Sequence, residues 1–274
     1  MQVLRPATLD EALGLMQRPD ARPQPIAGGT DLLVSWHHRV KEGLRLMDLS
    51  RIGALRAFRL TDDSLELGAL TTYWDVITSE DVARAFPLLE QAARQVGAVQ
   101  IQTRGTWAGN IGNGSPAADG VPVLMAYDAT VTLASARGQR EVALCDYWTD
   151  YKKTVKADDE LIVGIRVPRR PCDVEWFHKV GARSAQAITK VGVAMVHSAA
   201  GWRVTANSVA PFVCRCRTME AALDRGEVFQ SPDDVLKVIS RDVSPINDLR
   251  STAAYRLTVL SRLIYYRLAE LAAA

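Results

Sequence analysis

With 274 residues, 48% of them hydrophobic, the chain is long enough for one large domain or two smaller ones around a packed core. Its formal net charge of +2 comes without a basic run, which argues against nucleic acid as a partner. No stretch approaches the roughly 18 consecutive apolar residues of a membrane span, and no basic segment leads into an apolar one near Met1, so the chain reads as cytoplasmic without a signal peptide.

The first element is marked by Thr8-Leu9-Asp10-Glu11, a capping box that predicts a short helix burying Ala12, Leu13 and Met16 and ending before Pro19. Residues 25–27 read as a strand feeding a glycine turn, Ile26-Ala27-Gly28-Gly29-Thr30-Asp31-Leu32. The pair His37-His38 follows and reads as surface or packing. After a loop at residues 41–43, residues 46–49 predict a strand. Residues 64–70 alternate, with Leu65, Leu67 and Ala69 on one side and Glu66 and Gly68 on the other, a half-buried strand. Pro87 opens a helix with Leu88, Leu89, Ala92, Ala93 and Val96 at helical spacing, and Gly97 stops it.

That helix delivers the chain into residues 103–120, TRGTWAGNIGNGSPAADG. Six of the 18 glycines fall between Gly97 and Gly120, a density that signals positive φ angles or a ligand pressed against the backbone. The only charges in residues 103–120 are Arg104 and Asp119, so a phosphate here would be held mainly by backbone N–H groups and the hydroxyls of Thr103, Thr106 and Ser115. A plain tight turn is the other reading. Gly112-Asn113-Gly114-Ser115-Pro116-Ala117 fits the dinucleotide fingerprint in letters only, because no good strand precedes it and Pro116 interrupts the turn into a helix. The spacing Gly109 to Gly114 suggests a P-loop, but Ser115 and Pro116 stand where Lys and Ser/Thr are required.

Residues 129–134 predict a strand with Val131 and Leu133 inward, and residues 160–167 a second with Leu161, Val163, Ile165 and Val167 on one face. Pro168-Arg169-Arg170-Pro171 breaks the pattern and is the best domain boundary in the chain. Beyond it come strand-like runs at residues 174–180, 191–198 and 202–209. Ser231-Pro232-Asp233-Asp234 then opens a helix, and a last helix from about Ser251 carries Leu257, Leu260, Ile264, Leu268 and Leu271 on one face. This order argues for α+β. Cys145, Cys172, Cys214 and Cys216 lack the spacing of cluster or zinc ligands and read as packed or partly exposed thiols, so neither a metal site nor a catalytic constellation is expected.

AGGTD near the N-terminus, TWAGN in the centre and SPAAD after it together resemble the FAD-binding subunits of the molybdenum hydroxylases, of the bacterial xanthine dehydrogenase type with carbon monoxide dehydrogenase medium subunits as cousins. The likeness covers nearly the whole chain. It implies a two-subdomain FAD-binding fold of the PCMH (vanillyl-alcohol oxidase-like) type over residues 1–168, divided near residue 52, then a C-terminal domain of antiparallel sheet plus helices over residues 172–274. It implies one FAD, with Ile26, Ala27, Gly28, Gly29, Thr30, Asp31 and Leu32 wrapping the diphosphate. Thr106, Trp107, Ala108, Gly109 and Asn110 would form the second grip. Asp119 would meet the adenosine or ribityl part, and its other reading is the N-cap of a helix over residues 121–125. Ile162 matches a contact to the adenine end. Lys179 matches a lysine near the flavin, with an exposed strand lysine as the other reading, and Arg183, Ala185 and Ile188 extend the likeness. Where the family usually reads T-x-G-G-N this chain has Trp107 and Ala108. Trp107 brings a large ring to stack near the flavin, shape acceptor access or simply pack, and Ala108 asks the loop for a backbone angle that suits a β-carbon.

The implied function is the FAD-carrying, electron-transferring subunit of a multi-subunit oxidoreductase. It would take electrons from a [2Fe-2S] subunit and pass them to NAD or another acceptor, while a molybdopterin subunit oxidises the substrate, xanthine by closeness. The expected assembly is a heterotrimer that dimerises in relatives. The alternative is a free-standing flavin oxidase or dehydrogenase of the same fold, which the C-terminal part of only about 100 residues disfavours. A nucleotide-binding module that has lost its flavin is disfavoured by two intact glycine turns. Those turns carry no nucleophile suited to attachment, so the FAD is expected to be non-covalent.

Overall fold

The computed structural model describes residues 1–36 and 43–273. His37, His38 and the start of the loop expected at residues 41–43 lie outside the described residues. The N-terminal unit holds β1 (Gln2–Leu4), α1 (Leu9–Met16), β2 (Gln24–Ile26), α2 (Leu32–Ser35) and β3 (Arg45–Asp48). Its three-stranded sheet has the order β1-β3-β2 with both pairings parallel. The Thr8 side chain caps α1 by accepting the Glu11 N–H at 3.2 Å. The return bond from Glu11 goes to the Ala7 N–H rather than to that of Thr8, so the predicted box closes one residue early.

The next unit starts with β4 (Phe58–Leu60) and β5 (Ser64–Gly68). Six helices follow: α3 (Tyr73–Ile77), α4 (Glu80–Ala85), α5 (Pro87–Arg94), α6 (Val99–Gln102), α7 (Trp107–Asn113) and α8 (Gly120–Ala126). The chain then returns through β6 (Thr130–Ser135), β7 (Gly138–Ala143), the ribbon of β8 (Trp148–Asp150) and β9 (Lys153–Thr154), and β10 (Leu161–Pro168). A five-stranded antiparallel sheet results, β4-β5-β10-β6-β7. β5 is more enclosed than its alternation predicts, because the Leu55 carbonyl lies over Gly68 and covers the second face. A register shift between Ile162 and Gly164 in β10 interrupts the predicted alternation there and leaves Val163 only half-buried.

The central glycine stretch differs from a plain turn. Residues 107–113 are helical, with Thr106 as a capping residue whose side chain accepts the Gly109 N–H at 2.9 Å and left-handed Gly114 ending the helix. Glycine is a poor helix residue. Here the helix is held by burial of Trp107, Ala108 and Ile111, while Gly109 and Gly112 stay exposed.

After Pro168 the chain enters a new sheet: β11 (Cys172–Val180), β12 (Val191–Ser198), β13 (Gly201–Asn207) and β14 (Cys214–Arg215), an antiparallel four-stranded meander. α9 (Arg217–Asp224), α10 (Pro232–Ile239) and α11 (Ala253–Ala273) cover its outer face. Leu260 and Ile264 of α11 are buried there, as their stripe predicts. The inner face, through Phe177, Ala194 and Val196, joins the core of the preceding unit. All 7 residues of α8 are buried between the units. Cys214 and Cys216 are buried thiols, and Cys145 and Cys172 are half-buried.

Candidate cofactor site

The two glycine segments, some 75 residues apart in sequence, meet in space. A β-carbon at Gly28 would fall onto the Arg104 carbonyl oxygen, so only glycine lets these backbones touch. Gly29 has φ +73°, the left-handed geometry that turns the chain toward α2. Gly105 packs against the Thr30 hydroxyl and the Tyr73 ring. The contact is anchored from below: Tyr73 N–H donates to the Gly105 carbonyl and Trp107 N–H to the Thr71 carbonyl, both at 3.2 Å.

The N–H groups of Gly28, Gly29, Thr30 and Asp31 find no acceptor among the described residues. Consecutive unpaired N–H groups in a turn with one left-handed residue form a concave anion-binding surface. Across from them, the Ala108 N–H at the start of α7 also has no backbone acceptor among the described residues. Asn110 keeps a buried Oδ1 with no donor among the described residues, an acceptor that a ligand beside α7 can satisfy. The outer face of α7 is bare at Gly109 and Gly112, and the Ile162 side chain of β10 borders Gly112. These features suit a flat, anionic, hydrogen-bonding ligand laid along backbone, and a dinucleotide with a diphosphate fits them.

Of the residues singled out from sequence, Ile26 to Leu32 form the first segment of this junction, Thr106, Ala108, Gly109 and Asn110 follow the second along the start of α7, and Ile162 lies beside Gly112 farther along that helix. Trp107 differs. Its ring is fully buried, packed on Tyr73 at 4.9 Å between centroids and against Gly120, and its Nε1 has no acceptor among the described residues. It supports the floor of α7 and does not line an open surface. Ala108 is an ordinary helical residue, so its β-carbon asks nothing special of the backbone.

Asp119 stands at the N-cap position of α8, but its side chain makes no capping bond there. One carboxylate oxygen takes the Lys179 ammonium at 2.6 Å and the other takes the Thr189 hydroxyl. Lys179 is no exposed strand lysine: its side chain is 7% exposed, and it also donates to the Gln95 carbonyl at 2.9 Å. Burial pushes the Asp119 carboxyl above its usual range, and the Lys179 charge with the hydrogen bonds from Lys179 and Thr189 pulls it back. Burial, with the Asp119 charge added, also raises the Tyr73 phenol. Arg183 folds back to donate to the Ala185 and Gln186 carbonyls and shapes its own loop, in which Ile188 is exposed. Thr189 and Asn207 escaped the sequence reading because their partners lie far away along the chain, and no local pattern marks such pairings.

No group of three or more His, Cys, Asp or Glu residues among the described residues is arranged to hold a metal. No helix among them is long and apolar enough to cross a membrane.

Residues 1–170 match the family described as FAD binding domain in molybdopterin dehydrogenase, and residues 176–271 match the CO dehydrogenase flavoprotein C-terminal domain. The xanthine dehydrogenase FAD-binding subunit of Escherichia coli O157:H7 is 29% identical, over 98% of this chain and 95% of its own. The nicotinate dehydrogenase FAD-subunit of Eubacterium barkeri is 32% identical over 69% of this chain and 66% of its own. Among solved structures, carbon monoxide dehydrogenase from Hydrogenophaga pseudoflava superposes with a TM-score of 0.87 at 27% identity, covering 97% of this chain and 95% of that one. The chain belongs to the family of FAD-binding medium subunits of the molybdenum hydroxylases, an oxidoreductase family.

Proposed function

We propose that this chain is the electron-transferring flavin subunit of a three-component molybdenum hydroxylase, working in the cytoplasm beside an iron–sulfur subunit and a molybdopterin subunit. The observation that carries the site is the run of N–H groups from Gly28 to Asp31 with no acceptor among the described residues, in a turn that meets the Arg104 backbone at Gly28. In this reading the Ile26–Leu32 turn takes one side of the FAD diphosphate and the start of α7, from Thr106 to Asn110, takes the other. Asn110 offers an amide acceptor and donor, Ile162 meets the adenine end, and Asp119 receives sugar hydroxyls beside Lys179. The domain division follows the Pro168–Pro171 break. A bound flavin supplies the exchange of electrons between carriers, so the chain takes electrons from a [2Fe-2S] partner and passes them to NAD or another acceptor.

This chain's residues bind and orient. Trp107 and Tyr73 keep the α7 floor rigid, and the glycine faces let the ligand lie on backbone. The Lys179 charge is compensated by Asp119, so it acts on the cofactor as part of an ion pair and not as a lone cation. Relatives named for xanthine, nicotinate and carbon monoxide dehydrogenases share this subunit type. That range suggests the substrate is chosen on another chain, with a purine such as xanthine as the first candidate.

The test is expression of the chain alone and together with both partner subunits. Substrate-dependent bleaching of the flavin should appear only with the partners. Direct reduction of the isolated chain by a purine or hydroxy acid would instead support a free-standing flavin oxidase. The FAD should also be non-covalent, because neither glycine segment carries a cysteine or histidine. Acid precipitation should release all the yellow colour, and colour retained in the pellet would contradict this.

A further inference from the structure

The segment from Pro116 to Pro122 runs under the end of the C-terminal sheet and is gripped from it at successive points. The Ser208 N–H donates to the Pro116 carbonyl at 2.7 Å. The Asn207 side-chain amide donates to the Ala118 carbonyl at 2.8 Å. The Thr205 hydroxyl donates to the Pro122 carbonyl at 2.8 Å. Between these, Lys179 and Thr189 take the two oxygens of Asp119. Gly192 is glycine because the Asn207 side chain occupies the space its β-carbon would need. The grip is built into the sheet.

We infer that Thr189 is a positioning residue of the flavin site: from the loop between β11 and β12 it fixes the orientation of the Asp119 carboxylate, and with Lys179 it makes the C-terminal sheet part of the cofactor-binding apparatus. This rests on the reading of Asp119 as a cofactor ligand.

The physical argument concerns rotation. An ammonium is a compact charge with rotatable donors, so Lys179 alone attracts the carboxylate without fixing its plane. A second donor on the other oxygen fixes that plane. Thr189 is suited to the task. It is 1% exposed, so its hydroxyl has no bulk water as an alternative partner. Its branched β-carbon stiffens χ1. Its own carbonyl is tied by the Ser208 hydroxyl at 2.9 Å. A carboxylate has about four lone-pair sites, and with one donor on each oxygen Asp119 keeps capacity for sugar hydroxyls in a defined direction.

The experiment is a titration of FAD into the full-length chain stripped of flavin, read by flavin fluorescence, with thermal unfolding as a check on folding. Thr189→Val keeps the shape and removes the donor, and it should raise the FAD dissociation constant by about tenfold or more, the scale of one hydrogen bond to a charged group. Thr189→Ser should restore it. Thr205→Val cuts an equally buried bond from the same sheet without touching Asp119, and it should leave FAD affinity near wild type. Where the valine packs badly, Thr189→Ala carries the same expectation. If Asp119→Asn weakens FAD binding while Thr189→Val and Thr189→Ala do not, the positioning role is overturned and the site reading stands. If Asp119→Asn binds FAD as wild type does, the reading of Asp119 itself fails and takes the inference with it. Equal weakening by Thr205→Val would show general loosening and overturn it as well.

Discussion

Gly28 and Gly29 serve different needs in one turn. Gly29 needs its left-handed φ, a strain of about 1–2 kcal/mol for a residue with a β-carbon. Gly28 needs the absence of a β-carbon altogether, because the Arg104 carbonyl fills that space. Gly28→Ala should therefore be the more harmful change, costing about 1–3 kcal/mol by overpacking and spreading the two loops that define the site. Flavin absorbance per protein, measured beside the thermal unfolding midpoint, should fall further than for Gly29→Ala. Full flavin content in Gly28→Ala would refute the two-sided grip. Gly109 lies on the bare face of α7, and a β-carbon there would press on the Thr106 hydroxyl that caps the helix. Gly109→Val should empty the site while the circular dichroism spectrum keeps its shape, and retained flavin would remove α7 from the assignment.

At the level of elements, the sequence was most legible where the period was clean. α5, β6, β10, β11, β12, β13, α10 and α11 follow from spacing, Pro and Gly punctuation and acidic N-termini. α7 was not legible as a helix, because its glycines argue against one and only burial of Trp107 and Ile111 repays that cost. α3 and α4 carried signals that spacing alone passed over: a Thr72–Asp75 capping box and the Ser79 cap. In the site, backbone loops were readable from glycine density, whereas the Thr189 and Asn207 contacts to residues 118–119 exist only after folding. The turn into β10 offers a pH test. Glu160 is buried and makes a two-pronged pair with Arg140 of β7 at 2.7 and 2.8 Å, and it also accepts the Ala157 N–H at 2.7 Å. The Arg140 hydrogen bond holds its carboxyl below the usual glutamate range against the opposing effect of burial. A depressed folded-state value gives stability that is present above the unfolded value and lost as pH falls through the folded one. Glu160→Gln should cost about 1–2 kcal/mol near neutral pH. Its deficit should shrink as the pH drops below the ordinary glutamate range, and a gap constant down to strong acid would contradict the ion-pair account.

Over the whole molecule, the break at residues 168–171 divides the chain in sequence more sharply than it divides the core. Phe177, Ala194 and Val196 of the C-terminal sheet belong to the same hydrophobic cluster as α5 and α8. Polar links follow the same seam. Gln91 of α5 donates to the Phe177 carbonyl at 3.1 Å, and Tyr127 hydrogen-bonds Glu175. Asp128, just after α8, receives Arg203 of β13 at 2.8 and 2.9 Å and Arg170 at 3.0 Å. Arg215 of β14 reaches the same carboxylate at 3.3 Å and pairs with Glu220 of α9 at 2.8 Å. Removing the C-terminal sheet would expose a helix that is buried all round, and burial of apolar surface is worth about 25 cal/mol per Å². It would also strip Asp119 of both its partners. A fragment ending at Arg170 should therefore aggregate or bind a hydrophobic dye, with a broad unfolding transition, and should hold no flavin even at saturating FAD. The full-length chain should unfold in one transition, because two units that share a core lose it together. The deciding measurement is calorimetry of the full chain beside dye binding and FAD titration of the fragment. A soluble, cooperatively folded fragment that binds FAD as tightly as the intact chain would show that the sheet merely covers the site, and that the contacts to Asp119 contribute nothing to holding the cofactor.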